Sequence, residues 1–383
     1  MHDLIQDMGK WIVQKGKHLG ERSRLWNVED FKEVMDNNMG TTAVEAIWFT
    51  CFGKLSFSKE AMKNMQSLRI LSIRNYRWGY LSDSKDGSIE YLSNNLCWFV
   101  WPHYPWKIDL SHSKSLKRTP DFKGMPNLEY LNLQDCMSLE EVQHSLKYCG
   151  KLIELNLEDC KSLERFPYVN VESLESLNLK YCSSLKKFPE IDGRMKQGTA
   201  RKIMTSRSGI RELPLYFLDH QPHLIELDLD GITNLASLPS SICKSKGLVK
   251  LHVSNWSKLE SLPEEIGDLE NLEELHASNT LISRPPSSIV RLNKLISLSF
   301  GQHRSEDSVF FVFPQVNEGL LSLKSLDLIY CNIKDGGLPE DIGSLSSLKK
   351  LYLKGNNFEH LPRSISKLGA LEYLDLSDCK RLT

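Results

Sequence analysis

Apolar residues recur in this chain with a long-range period that a single helix or strand does not explain. Three segments, LEYLNLQDCMSL from Leu128, LIELNLEDCKSL from Leu152 and LESLNLKYCSSL from Leu174, share the template LxxLxLxxCxxL. Side chains two residues apart in a strand point to the same side. Each LxL pair therefore predicts a short strand with both leucines turned inward and the residues between and beside them turned outward.

The template returns through the rest of the chain. Clear copies begin at Leu224, Leu248, Leu323, Leu348 and Leu371, and weaker copies begin at Ala200, Leu272 and Leu295. From Leu128 to Leu371 the repeat starts are spaced by about 24 residues on average, within the period of roughly 20 to 29 residues of leucine-rich repeats. The sequence thus predicts an α/β fold, a leucine-rich-repeat solenoid in which every coil adds one strand to a curved parallel sheet.

Proline marks the second half of many repeats. The motifs are LPSSI at Leu238, LPEEI at Leu262, PPSSI at Pro285, LPEDI at Leu338 and LPRSI at Leu361. Proline fixes φ and lacks an N–H group. We therefore predict an irregular convex side of extended segments and short helical turns.

A small polar residue follows each predicted strand, where the chain turns inward. These positions form a predicted structural column of Cys136, Cys160, Cys182, Cys331, Asn356 and Cys379. Small side chains with hydrogen-bonding capacity suit a buried column. The nine cysteines form no CxxC pair and the 11 histidines show no ligand spacing, so we expect reduced thiols and no metal site.

The N-terminal part does not follow the repeat. Apolar residues at helical spacing from Leu4 to Ile12 predict an amphipathic helix, Asn27 and Ser58 predict helix N-caps, and VEAIWF from Val44 predicts a strand. We divide the chain into a helical segment at 1–40, an irregular solenoid end at 41–106 and the repeats at 107–383. The repeat starts at Leu96 and Pro105 are 9 residues apart, which is too short for one coil and predicts a break in the array.

MHDLIQDMGK from Met1, GERSRLW from Gly20 and the repeat array resemble plant intracellular immune receptors of the TIR, NB-ARC and leucine-rich-repeat class. The resemblance covers essentially the whole chain. It implies that 1–40 is the C-terminal remnant of the nucleotide-binding winged-helix subdomain and that Met1, His2 and Asp3 are its MHD motif, with His2 touching the β-phosphate of ADP.

Two parts of that class are missing from this sequence. It contains no GxxxxGK[ST] phosphate loop, which supplies the backbone donors and the lysine that hold a nucleotide, and it contains no TIR domain, the NAD-cleaving part of the family. We therefore expect no ADP or ATP bound by this chain and no enzyme activity, although full-length members use the nucleotide.

Charged residues crowd the predicted outward positions of the concave face. The acidic ones are Glu129, Asp135, Glu154, Glu158, Asp159, Glu175, Glu226, Asp228 and Asp230, and the basic ones are Lys349, Lys350 and Lys354. One interpretation is a surface that binds a charged protein. The other is a solvated face whose charges only maintain solubility.

Two further groups carry alternative interpretations. Aromatic residues at 98–106 are predicted to pack between domains, the alternative being a stacking platform for a ligand. Basic residues at 186–211 are predicted to form a solvated loop, the alternative being a nucleic-acid contact. With 48 basic and 49 acidic residues, the chain as a whole is not drawn to nucleic acid or lipid.

The sequence predicts the recognition and autoinhibition region of an immune receptor. Its expected partners are a pathogen effector protein and the nucleotide-binding module of the same or a partner receptor, with no direct nucleic-acid or membrane contact. No basic and apolar leader is present at Met1, so we expect a cytoplasmic or nuclear location. The alternatives are a stand-alone interaction scaffold and a non-functional truncated product of poor solubility.

Overall fold

The computed structural model describes residues 18–51, 55–75, 93, 98–100, 107–114, 116–119, 122–123, 125–166, 173–188, 201–213, 223–233, 235–303 and 310–383. The chain forms two compact units. Unit 1 comprises Met1–Leu185 and Pro189–Asp192, and unit 2 comprises Lys186–Phe188 and Gly193–Thr383. The division at 1–40, 41–106 and 107–383 stays a prediction, and the helix predicted from Leu4 lies outside the described residues.

Two short α-helices lie near the start of unit 1, and both begin at a predicted cap. Helix α1 (Val28–Asp36) follows Asn27, whose side chain accepts a 2.7 Å hydrogen bond from the Asp30 backbone N–H. Helix α2 (Lys59–Asn64) follows Ser58, which accepts a 3.1 Å bond from Ala61. Such bonds satisfy N–H groups that have no partner inside the helix. The two N-cap predictions are confirmed.

The strands of unit 1 form two parallel sets. The first set is β1 (Arg24–Leu25), β2 (Ala46–Cys51), β3 (Ile70–Asn75) and β4 (Trp98–Val100), paired in that order. The second set is β5 (Lys107–Asp109), β6 (Tyr130–Asn132), β7 (Glu154–Asn156) and β8 (Ser176–Asn178). Strands β4 and β5 belong to different sheets, so the predicted break in the array is present between them.

The described residues of unit 2 form eight short strands, each paired in parallel with the next along the chain. They are β9 (Lys202–Met204), β10 (Glu226–Asp228), β11 (Lys250–His252), β12 (Glu274–His276), β13 (Ser297–Ser299), β14 (Ser325–Asp327), β15 (Lys350–Tyr352) and β16 (Tyr373–Asp375). Their central residues, Ile203 in β9 and a leucine in each of the others, are register partners, and Leu227, Leu251 and Leu275 are 0 to 1% exposed. The leucine-rich-repeat solenoid is confirmed.

Short 3-10 turns occupy the second half of the coils. They cover His144–Tyr148, Ser240–Lys244, Glu264–Asp268, Ser287–Arg291, Ile342–Ser344 and Arg363–Lys367, and a further 3-10 turn at Leu19–Glu21 precedes β1. In the LPSSI motif Pro239 precedes the turn, and its carbonyl accepts a 3.1 Å bond from the Ile242 N–H. Proline has no backbone N–H group, so no acceptor is needed at this position. The predicted short helical turns are confirmed, and in the described ranges no helix is both long and apolar enough to cross a membrane.

Candidate functional site

The cysteine column is built from one repeated hydrogen bond. Each thiol donates to the carbonyl of the inward residue that directly follows the strand of the preceding coil, where that chain segment begins to turn. The pairs are Cys136 to Leu110 (3.1 Å), Cys160 to Leu133 (3.1 Å), Cys182 to Leu157 (3.2 Å), Cys331 to Phe300 (3.4 Å) and Cys379 to Leu353 (3.2 Å). A weak donor thus satisfies a carbonyl at the turn of each coil.

The thiols of the column are held in their protonated form. Burial raises the pKa of Cys136 and Cys182 to about 12, because a thiolate loses its hydration inside the core. Burial also raises the pKa of Cys160 and Cys331. The eight described cysteines are free thiols, and a protonated buried thiol is a poor nucleophile and metal ligand.

In unit 2 an asparagine and a tryptophan also donate hydrogen bonds to carbonyls of the preceding coil. The Asn356 amide donates to the carbonyls of Leu328 (2.8 Å) and Leu353 (2.7 Å), and its oxygen accepts from the Ile333 N–H (2.9 Å). The Trp256 indole N–H donates to the Leu229 carbonyl at 2.6 Å. Trp256 was missed by the sequence analysis, although LHVSNWSKL places it at the template position of the cysteine.

The last residue of each three-residue strand forms a second row, which we call the turn row. In unit 1 this row is Asp109, Asn132, Asn156 and Asn178. Each side-chain oxygen accepts from the N–H two residues later, as Asn156 does from Glu158 at 3.1 Å. This is an Asx turn, which closes the strand locally.

Asp228 belongs to the turn row, and its assignment as an exposed contact residue is wrong. Its side chain accepts from the Asp230 N–H at 3.1 Å and from the Ser206 hydroxyl at 3.0 Å. The residue is 6% exposed. Its charge therefore holds the turn together, because a buried carboxylate requires hydrogen-bond donors.

The other acidic candidates differ in how exposed they are and in their backbone conformation. Glu154 is exposed, and Glu129 and Glu175 are half-buried. Asp135 and Asp159 occupy left-handed turns with φ of 57° and 59°, a conformation that aspartate tolerates better than most residues.

Several candidates are held by a neighbour. The contacts are Asp135 with His112 (3.0 Å), Glu158 with Asn178 (3.2 Å), Asp159 with Lys161 (3.4 Å), Glu226 with Lys202 (3.4 Å) and Asp230 with the Ser254 N–H (2.6 Å). Exposed ion pairs of this kind add little stability. They do fix the direction in which each charge is presented.

The basic candidates are partly neutralised. Lys349 forms a 2.6 Å ion pair with Glu372, and this contact lowers the pKa of that carboxyl. Lys354 approaches Asp378 at 3.4 Å, and the hydrogen bond to Asp378 raises the pKa of the lysine. Lys350 is exposed, so it is the member of this group best placed to meet a partner.

A charge ladder crosses four strands of unit 2. Lys202, Glu226, Lys250 and Glu274 are register partners on successive strands and alternate in sign. Lys250 and Glu274 are joined at 2.7 Å, and this hydrogen bond raises the pKa of Lys250. Lys250 and Glu274 were absent from the sequence candidates, yet their spacing of one repeat was a visible signal.

Two histidines lie side by side in the turn row of unit 2. His252 and His276 are register partners on β11 and β12, and their rings stack with centroids 4.7 Å apart. Burial, followed by the charge of His252, lowers the pKa of His276. The sequence shows no ligand spacing within one segment for these histidines, because the two are separated by one 24-residue repeat.

Other sequence candidates lie outside the described residues. These are Met1, His2 and Asp3, the aromatic side chains at 98–106, and the basic residues at 194–196. The sequence contains no GxxxxGK[ST] phosphate loop, and the expectation that this chain holds no ADP or ATP stays a prediction.

The chain is similar to plant disease resistance proteins along its whole length. It is 54% identical to "TMV resistance protein N" of Nicotiana glutinosa, with 100% of this chain and 36% of that protein covered. It is 30% identical to "Disease resistance-like protein DSC1" of Arabidopsis thaliana, covering 100% of this chain and 35% of that protein. The chain thus spans little more than a third of the length of these relatives.

The alignments also bear on the repeat array and the fold. The first alignment runs over 420 positions for a chain of 383 residues, so the tobacco protein has positions that this chain lacks. The Leucine rich repeat family profile matches residues 322–380. An internalin structure from Listeria monocytogenes is 16% identical, with a TM-score of 0.46 over 98% of this chain and 95% of its own; the fold assignment rests on the strand register instead.

Proposed function

Since the chain is a leucine-rich-repeat region related over its whole length to plant disease resistance proteins, we propose that it is the recognition region of an intracellular immune receptor. The observation that carries this proposal is the strand face of each unit, where outward side chains from successive coils stand on a hydrogen-bonded backbone. Such a face presents many groups at once in fixed positions. It suits the binding of a protein.

Binding rather than chemistry is the proposed activity. Burial raises the pKa of the Cys136 and Cys182 thiols to about 12, so these thiols are protonated and are poor nucleophiles. We therefore assign this chain no reaction and no nucleotide cofactor. Its location would be the cytoplasm or the nucleus.

The proposed mechanism is a shift between two states of a receptor. The strand face would contact the nucleotide-binding module of the same or a partner receptor in the resting state. A pathogen effector would bind the face and change the relative stability of the two states. An effector shifts such an equilibrium only by as much as its affinities for the two states differ.

Exposed charges on the strand faces are the groups to alter. Glu154 on β7 and Lys350 on β15 are both exposed, and reversal of an exposed charge leaves the core intact. A matched control is Glu270, which is exposed but lies outside every strand.

The test is a chimera in which this chain replaces the matching region of "TMV resistance protein N". The chimera and its Glu154→Lys, Lys350→Glu and Glu270→Lys variants are expressed in leaves, and virus-triggered cell death and protein level are measured. We expect the two strand-face variants to lose at least about tenfold of the response, as loss of one contact of ~1.4 kcal/mol would give. The Glu270 variant should respond normally. Equal responses from all variants, or a silent chimera at normal protein level, would contradict the proposal.

A further inference from the structure

The histidine pair of unit 2 departs from the asparagines and aspartates of the turn row. At Asn156 and Asp228 the side-chain oxygen accepts from its own turn. At His252 and His276 the turn is closed by other groups: the Ser254 N–H donates to Asp230, and the Ser278 N–H donates to the Ser254 hydroxyl. The two imidazoles are therefore not needed to hold their own turns.

A carboxylate lies beside the stacked imidazoles. Glu274 Oε2 is 3.6 Å from His252 Nε2, which is beyond hydrogen-bond distance. Glu274 Oε1 is bound by Lys250 at 2.7 Å, so the lysine fixes one oxygen and the other faces the ring. His252 Nε2 is buried and has no hydrogen-bond partner among the described residues. A buried polar atom without a hydrogen-bond partner is costly, and a bound ion would give this nitrogen a partner.

The three side chains bring metal-binding atoms together. His252, Glu274 and His276 each offer one such atom, and these atoms lie within 4.8 Å of one another. Zinc binds imidazole nitrogen at roughly 2.0 to 2.1 Å and carboxylate oxygen at roughly 2.0 to 2.2 Å. The three atoms would have to move closer together to bind one ion, and a zinc site with three protein ligands keeps a fourth coordination position for water or a partner.

The surrounding charges favour a cation. Asp228 and Asp230 also have ligand atoms within 4.8 Å of that of His252. Together with Glu274 they supply three carboxylates. Lys250 is a neighbouring cation, and it is already paired with Glu274. A negative surrounding lowers the cost of bringing a divalent ion to the strand face.

We propose that His252, Glu274 and His276 form a binding site for a divalent transition-metal ion of the zinc and cobalt class. Two imidazoles and a carboxylate are ligands that suit these ions more than Mg²⁺ or Ca²⁺. The site joins β11 to β12 on the strand face, so a bound ion would link two coils and offer an open coordination position to a partner.

Another group of possible ligands gives an internal comparison. Asp335, Glu359 and His360 also have ligand atoms within 4.8 Å of one another, but all three are exposed. Asp335 Oδ1 already accepts from the backbone N–H groups of Glu359 and His360, at 2.7 and 3.1 Å. This second group is held by its own hydrogen bonds and has no buried unpartnered nitrogen among the described residues.

The test is a titration of the full chain with Co²⁺, followed by visible absorption in a non-chelating reductant and reversed by added Zn²⁺. The variants are His252→Asn, His276→Asn and Glu274→Gln. Asparagine occupies the same row at Asn132 and Asn156, so these histidine substitutions are compatible with the fold. His360→Asn and His144→Asn are the matched controls.

We expect one Co²⁺ per chain, with the absorption lost in both histidine variants and the affinity reduced at least about tenfold in Glu274→Gln. The two control variants should bind as the unaltered chain does. Zn²⁺ should raise the melting temperature of the unaltered chain, since an ion that binds only the folded state stabilises it, and it should leave that of His252→Asn unchanged. The same melting curves show whether each variant is folded.

Three results would overturn the proposal. The first is a folded, unaltered chain that binds no Co²⁺. The second is binding that survives in folded His252→Asn or disappears in His360→Asn. The third is a thiolate-to-cobalt charge-transfer band, which would place the ion on cysteine.

Discussion

The repeats of unit 1 and those of unit 2 solve the same structural problem with different side chains. In unit 1 the column donors Cys136, Cys160 and Cys182 are all thiols. In unit 2 the thiols of Cys331 and Cys379 are joined by an indole at Trp256 and an amide at Asn356, which bind the equivalent carbonyls. What the coil requires is therefore a donor directed at the preceding coil, and its chemical type and size are free to vary when the neighbours adapt.

The strand faces differ in a parallel way. In unit 1 the turn row is Asp109 followed by three asparagines, each of which closes its own turn. In unit 2 the row includes His252 and His276, which leave that work to neighbouring groups. The unit 2 row thus combines residues that close their own turns, such as Asp228 and Asp327, with two imidazoles that do not.

The largest expected difference concerns the size of the column donor. Trp256→Ala removes a fully buried ring and its hydrogen bond, so we expect a loss of about 4 kcal/mol in the free energy of unfolding. Cys160→Ala removes one sulfur and a weak donor, for an expected loss of about 1 kcal/mol. Urea unfolding measures both. Trp256→Phe is the control, because it keeps most of the volume; equal losses for the two alanine variants would contradict the comparison.

The next effect concerns donor number at Asn356. Asn356→Ala leaves the Leu328 and Leu353 carbonyls and the Ile333 N–H without this partner, so a loss of about 3 kcal/mol is expected. Asn356→Cys introduces the thiol found at the cysteine positions of the column and restores one hydrogen-bond donor. We expect its midpoint in urea to lie between those of the alanine variant and the unaltered chain. A cysteine variant no more stable than the alanine variant would show that a thiol cannot replace the amide there.

Substitutions on the two strand faces should differ in how their effect on the free energy of unfolding depends on salt. Asn156→Ala removes the acceptor of the Glu158 N–H and should cost about 1 kcal/mol at any ionic strength. Lys250→Gln breaks an ion pair with Glu274 that is partly exposed and should cost less than about 0.5 kcal/mol, shrinking as salt is added. Urea midpoints at low and high sodium chloride measure both. A salt-dependent Asn156 variant would argue against an Asx turn as the main role.

The smallest effect concerns the reactivity of the thiols and involves no change in stability. With the pKa of Cys136 and Cys182 raised to about 12, only about one thiol in ten thousand is ionised at pH 8. Iodoacetamide followed by peptide mass spectrometry should label Cys379, which is half-buried, before any unit 1 column thiol. All should react together in urea. Early labelling of Cys160 in the folded chain would contradict the buried column.

The sequence was sufficient for features that depend on local spacing. The LxL pair predicted β6 and its inward leucines, Asn27 predicted the start of α1, and the LPxxI motifs predicted the 3-10 turns. Each of these follows from residues within a few positions of one another. Periodic burial and backbone geometry act at that range.

The roles of several side chains could not be predicted from the sequence because their contact partners lie one coil away. Asp228 was assigned to the surface because it is charged, but its donor Ser206 comes from the preceding coil. His252 and His276 were passed over because ligand spacing was sought within one segment, whereas strand register brings positions one repeat apart into contact. Trp256 was missed because a large ring did not match the small residues of the template. Register and packing decide these cases, and neither is visible in a single repeat.

The column bond also sets how such a chain can change length over evolutionary time. Because each donor serves a carbonyl one coil back, the insertion or deletion of a whole repeat leaves every remaining donor with an acceptor. A fractional deletion moves donors out of phase and forces the backbone to start a new sheet. The separation of β4 from β5, whose first residues are nine positions apart, has the form expected of such a fractional step, so the repeat is the unit of tolerated change as well as the unit of structure.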